Sequence, residues 1–235
     1  MEKLSVRQWK KLMNFRGYGN PKGPLWFLGI EEKLGKRPGR RKEFMIRTSF
    51  HDVMDLGDAQ ASLGREVRNA KTPTWTWMSK FARSLLQDAR DWKDLDKAKD
   101  YRNRYLGRTG GDTFLTELFP IPARSTKKKD VPWPKLSRNE YEKQVLSGRK
   151  ELLLKMLKRH RPRYVVAYAK PKHLMELLER KLKAPRERID KDISGYTLGN
   201  TRVVLISFFR GLSHGKVETA IAWMKRGNKR RVVIT

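Results

Sequence analysis

The chain has 235 residues, enough for one sizeable domain with a proper core and too few to demand two, so a single domain spanning 1–235 is expected. It carries 55 Lys and Arg against 25 Asp and Glu, a formal net charge of +30 spread along its length, and no cysteine. Disulfides, thiolate zinc sites and iron–sulfur clusters are thereby excluded, and the charge points to a polyanionic partner, DNA or RNA, ahead of anionic lipid.

The opening "MEKLSVRQWKKLMNF" lacks the apolar segment of a secretory leader, and no apolar run reaches the ~18 residues of a membrane span. A cytoplasmic, nucleic-acid-associated protein without membrane contact is expected. The first strand is predicted over "LWFLGI" at 25–30, where Gly29 would let the chain turn or let something approach its backbone. Glu31 and Glu32 follow at its carboxyl end, the edge at which open α/β sheets bind ligands. Residues 33–72, rich in Arg, Lys and Gly, read as a long basic loop. In "WMSKFARSLLQDA", Trp77, Phe81, Leu85 and Ala89 then form one helical stripe.

A second strand is predicted over "TFLTELF" at 113–119, and "PIPARSTKKKDVPWPKLS" at 120–137 reads as a second long loop. Next come a helix over "YEKQVLSGRKELLLKMLKRH", a strand over "YVVAYA" at 164–169, and a helix over "PKHLMELLERKL" with proline in its first turn. "RVVLISFF" at 202–209 gives a fourth strand, "GKVETAIAWMKRG" a last helix, and "RRVVIT" a candidate terminal strand. Continuous apolar runs alternating with helices predict an α/β fold: three layers, α/β/α, around a central, mainly parallel four-stranded sheet. Both long loops leave a strand's carboxyl end and would flank one cleft.

Read for chemistry alone, the paired glutamates are either functional or a helix start that neutralises Lys33, Lys36 and Arg37. His51, Asp52 and Asp55 match no metal-ligand spacing, and Trp75, Trp77 and Trp92 read as packing residues. "EEK" contains the Glu-x-Lys pair of metal-dependent nucleases, but the only acid upstream is Glu2. Neither a metal nor another cofactor is expected.

Three motifs recur in a known order: Gly29-Ile30-Glu31 at the first strand's end, Thr116-Glu117 before "PIP" at the second, and "SFFRGLSH" after the fourth. In order and spacing they resemble the uracil-DNA glycosylase superfamily over most of the chain. The resemblance implies that Glu31 positions or activates a water and supports a cationic sugar. Glu32 stands where the family has proline and is carried as a second catalytic candidate. Glu117 replaces a base-reading asparagine, with Thr116 beside it; an ionised carboxylate accepts hydrogen bonds but donates none, which suits the amino group of a cytosine derivative better than uracil. Phe44, 13 residues after Glu31, and Phe50 are candidates for the ring that stacks on the extruded base.

In the last motif Gly211, Leu212 and Ser213 match the family, whereas Phe208, Phe209 and Arg210 depart from it. Leu212 becomes the wedge that fills the gap left by the flipped nucleotide. Arg210, Gly211, Ser213, His214 and Lys216 are expected at DNA phosphates, as are Lys127 and Lys128 in the second loop. Phe208 leaves the polar group that normally assists the departing base missing. No lysine is placed to form a Schiff base, so a water nucleophile without a lyase step is expected. The implied activity is a monofunctional, monomeric DNA N-glycosylase, without cofactor or protein partner, that excises a modified base and leaves an abasic site. Phage or foreign DNA is one source of such bases. A uracil or mismatch-repair glycosylase and a catalytically inert nucleic-acid binder of the same fold are the alternatives.

Overall fold

Ser5 and Gln8 bracket the first helix, α1 (Val6–Asn14): Ser5 Oγ accepts from the Gln8 main-chain N–H at 3.2 Å, and Gln8 Oε1 accepts from the Ser5 N–H at 2.8 Å. The computed structural model describes residues 4–33, 40–70, 72–123, 138–168, 171–207, 209 and 211–226. The expected strand at 230–235 lies outside them.

After α1 come β1 (Gly17–Gly19), β2 (Leu25–Lys33), α2 (Arg40–Arg47) and β3 (Val53–Met54). Asp55 then caps α3 (Leu56–Ser62), Pro73 opens α4 (Pro73–Leu86), and Asp94 caps α5 (Leu95–Arg104). The second half runs β4 (Thr113–Ala123), α6 (Arg138–His160), β5 (Tyr164–Tyr168) and α7 (Pro171–Met175), which continues as a π-helical turn over Glu176–Lys181. It ends with β6 (Arg186–Asp190), β7 (Ile193–Leu198), β8 (Thr201–Ile206) and α8 (His214–Arg226).

The protein is α/β, but its sheet is larger than the four mainly parallel strands expected from the sequence. Eight strands form one mixed sheet in the order β3-β1-β4-β2-β5-β8-β7-β6. The runs predicted as strands are its centre, where β4, β2, β5 and β8 lie parallel; β1 pairs antiparallel to β4, and β7 and β6 extend the other side antiparallel. The additional strands escape an apolar-run reading for physical reasons. β1 is "GYG", and β6 is "RERID" with its first three residues exposed, so neither carries a continuous apolar signature. The first expected loop is also not one loop, since α2, β3 and α3 lie inside 33–72. Of the second, Pro120–Ala123 belong to β4 and 124–137 lie outside the described residues.

Strand alternation divides the core in two. Leu25 and Phe27 enter one apolar cluster with Phe81 of α4 and Val217 and Ile221 of α8, whereas Trp26, Leu28 and Ile30 enter another with Leu153 of α6 and Leu174 of α7. Burial on both faces explains why β2 reads as a continuous apolar run. Parallel pairing of these four strands puts their carboxyl ends on one edge. Among the described residues no helix is long and apolar enough to cross a membrane.

Candidate active site

The strand register lines up three residues on that edge. Glu117 of β4 pairs with Gly29 of β2, and because Leu28 pairs with Ala167, Gly29 lies level with Tyr168 of β5. Glu117 and Tyr168 are thus two strands apart, roughly 9–10 Å between backbones. They meet because the residue between them has no side chain. Tyr168 Oη donates to Glu117 Oε1 at 2.8 Å. A Cβ on Gly29 would fall 2.0 Å from Glu117 Oε2 and 2.5 Å from Tyr168 Oη, so only glycine leaves room for the contact.

Among the described residues no cation forms an ion pair with the Glu117 carboxyl, although the charge of Arg149 favours its ionised form. Its Oε2 is buried with no hydrogen-bond partner among the described residues. Arg149 lies close by, yet its guanidinium donates to the main-chain carbonyls of Glu117 at 2.9 Å and Phe15 at 2.7 Å. Burial pushes the Glu117 carboxyl up to about 8; the Tyr168 hydrogen bond opposes this, and the charges of Glu32 and Glu31 add to it. At neutral pH the group is mostly protonated and offers a donor as well as an acceptor. The sequence alone suggested an ionised, accept-only carboxylate at this position.

Glu31 and Glu32 part company at the end of β2. Glu31 is half-buried and by strand alternation lies on the Gly29 face. The pairing with β4 shifts register between Glu31 and Lys33, an irregularity of the kind that re-aims side chains. Both Glu32 oxygens are engaged: Oε2 accepts from Tyr18 Oη at 2.8 Å and Oε1 from Arg47 Nη2 at 2.9 Å. Arg47, only 4% exposed, also donates to Tyr18 Oη at 2.8 Å and to the fully buried Glu43 at 2.9 Å, and Glu43 pairs in turn with Arg65. Glu32 therefore fastens α2 against β1 and β2, and its charge still acts on Glu117 and Tyr168, with that of Glu31 adding to it at Glu117.

The expected aromatic platforms are packed away. Phe44 is 4% exposed in the cluster on the α6 side, and Phe50 is buried with Arg47 5.8 Å above its ring. Thr116, also buried, donates to the Arg16 carbonyl at 2.6 Å and serves the backbone. Asp55 pairs with Arg108 at 2.7 Å besides capping α3, and Asp52 pairs with Arg16 at 3.1 Å.

The loop after β8 joins the same edge. Phe209 is buried, its ring 4.8 Å from that of Tyr168, and its carbonyl accepts from the Leu212 N–H at 3.2 Å. Leu212 is partly buried against the same apolar cluster, after Gly211 has turned the chain with φ +84°. A contiguous path thus runs from Glu117 through Tyr168 and Phe209 to Leu212. Ser213 and His214 are exposed at the start of α8, and Lys216 is ion-paired with Asp192. Phe208, Arg210, Lys127 and Lys128 lie outside the described residues.

Tyr168 was not among the residues singled out from the sequence. Its position as the last residue of the third apolar run, level with a glycine in the first, was the available signal. Among the described residues no group of three or more His, Asp or Glu is arranged to hold a metal ion. A cavity of about 380 Å³ between α4 and α5, lined by Arg83, Asp96, Asp100 and Tyr101 among others, includes none of the expected site residues.

No family model and no curated protein matches this chain.

Proposed function

We propose that the protein is a divergent member of the uracil-DNA glycosylase superfamily that flips a nucleotide out of DNA and hydrolyses its base–sugar bond. One observation carries this reading: Glu31, Glu117 with Tyr168, and the Gly211–Ser213 loop come from β2, β4, β5 and the segment after β8, and all lie on one edge of the sheet. The parallel β4-β2-β5-β8 centre at the core of the larger sheet is the part that corresponds to a three-layer glycosylase fold. The net charge of +30 supports a DNA partner.

In this mechanism Glu31 accepts a proton from the attacking water and stabilises positive charge on the sugar as the bond breaks. Glu117, protonated and braced by Tyr168, stands where the extruded base would be read. A neutral carboxyl pairs with the N3 acceptor and N4 donor of cytosine, and a proton placed on N3 lets the base leave as a neutral molecule. That supplies the assistance missing at Phe208 and favours a cytosine derivative, whose unassisted departure as an anion is costly. Leu212 fills the gap behind the flipped nucleotide. Glu32, held by Tyr18 and Arg47, positions the strand end.

The test is base release. Incubating the protein in chelator with duplexes that each carry a different modified base, and identifying the freed base by mass spectrometry, should yield one or a few products. Glu31→Gln should abolish release while DNA affinity stays within about twofold; full activity in that variant refutes the assignment. DNA binding without release from any substrate would favour the inert binder, and release of uracil alone the repair enzyme.

A further inference from the structure

Two basic side chains touch where α8 begins. Lys80, on α4, is 6% exposed, and its Nζ lies 2.8 Å from His214 Nε2. The ring of Trp77 is 5.2 Å from the His214 ring and that of Trp92 is 5.7 Å away, and the Lys80 ammonium lies 5.0 Å over Trp77. No carboxylate among the described residues forms an ion pair with Lys80. The nearby acids are committed elsewhere: Glu218 pairs with Lys93 at 2.5 Å, and Asp94 caps α5 by accepting from the Lys97 N–H at 2.9 Å. The contact thus places two groups of like potential charge together on a aromatic floor, at a helix start whose dipole favours anions.

We propose that Lys80 and His214 form a binding site for one backbone phosphodiester of nucleic acid, beside the Leu212 loop. The proposal rests on the nucleic-acid part of the reading above and not on base release. Of the two, only His214 was expected at phosphate from the sequence; a single lysine in the middle of a helix pattern carries no signal of its own.

A phosphate oxygen meeting both groups removes the reason for either to stay neutral. In the free protein, partial desolvation and the charges of Lys80 and Lys93 hold His214 below the usual histidine range, opposed by Glu218, and burial lowers Lys80, opposed by Asp94. Those charged groups, from α4, the α4–α5 connection and α8, are the ones among the described residues that act on the pair. A bound phosphate adds a negative charge in contact, so His214 takes up a proton on Nε2, and the hydrogen bond it accepted from Lys80 is exchanged for one donated by each group to a phosphate oxygen. The sign follows: affinity is highest at low pH and falls as pH rises between the histidine's free and bound values, by up to about tenfold per pH unit.

The experiment measures binding of a fluorescein-labelled 20-base-pair duplex by anisotropy from pH 5.5 to 8, together with the His214 ring resonances in the presence and absence of that duplex. The wild type should lose affinity with rising pH, and DNA should move the His214 titration upward. His214→Gln should flatten the pH dependence. Lys80→Met, which keeps the buried stem, should weaken binding several-fold and lower the slope of log affinity against log salt by about one. A His214 titration unmoved by DNA that binds overturns the site and leaves the nucleic-acid reading standing. Failure of the wild-type protein to bind the duplex at all overturns both.

Discussion

Glu32 and Glu117 make a natural pair for comparison. Each is a half-buried glutamate on the central parallel strands, and each accepts a hydrogen bond from a buried tyrosine hydroxyl at 2.8 Å, Tyr18 in one case and Tyr168 in the other. They differ in their cation. Glu32 holds the Arg47 guanidinium, itself shared with Glu43, whereas the arginine nearest Glu117 spends its donors on main-chain carbonyls. The difference teaches that a tyrosine alone does not fix a buried carboxyl's role. A guanidinium paired with the carboxylate makes it part of a structural network, whereas at Glu117, where the nearby arginine is turned to main-chain carbonyls, burial holds the carboxyl's proton on to about 8.

Removing the distinguishing cation should have the largest effect. Arg47→Ala leaves the fully buried Glu43 with Arg65 alone and Glu32 with the Tyr18 hydroxyl alone, and is expected to cost about 3–5 kcal/mol, read from denaturant unfolding. A loss under 1 kcal/mol would mean that the network holds little. Next in size is Gly29→Ala, which drives a methyl into Glu117 and Tyr168; about 1–3 kcal/mol of stability should disappear, along with base release.

Glu117→Gln sharpens the contrast through pH. A carboxyl raised to about 8 in the folded state keeps its proton while the unfolded chain, near 4.5, has lost one. Stability therefore falls as pH rises between those values, by at most about 1.4 kcal/mol per pH unit, and levels off above 8. The glutamine variant should lack that decline in urea melts from pH 5 to 9. It should also lack the alkaline fall in base release near pH 8, with what release remains nearly independent of pH over that range. An unchanged profile in either assay would remove Glu117 as the acid. The smallest effect is expected from Leu212→Ala, which leaves both tyrosine–carboxylate centres intact. It should slow release from duplex several-fold more than from single strands; equal losses would end the wedge assignment.

Much of the frame was legible in the chain. "LWFLGI", "TFLTELF", "YVVAYA" and "RVVLISFF" are buried on both faces, and such burial leaves an apolar run that needs no partner to be seen. Gly29 announced a close approach, because a glycine closing an apolar strand has few other uses. The outer strands were not legible: a strand such as "RERID" owes its place to pairing with β7, and nothing in its own side chains records that. Phe44 and Phe50 looked like binding rings because an aromatic in a basic segment looks the same whether it faces a base or a core.

The sequence by itself determined the charge, the lack of thiols, the central strands and the acids at their ends, since these depend on composition and local pattern. Only the tertiary structure decided that Glu32 would be bound by Arg47, that Glu117 would meet Tyr168 across a missing side chain, and that Lys80 would touch His214 from 134 residues away. Protonation and pairing depend on burial and on neighbours within a few ångströms, and those neighbours come from strands and helices far apart in the chain.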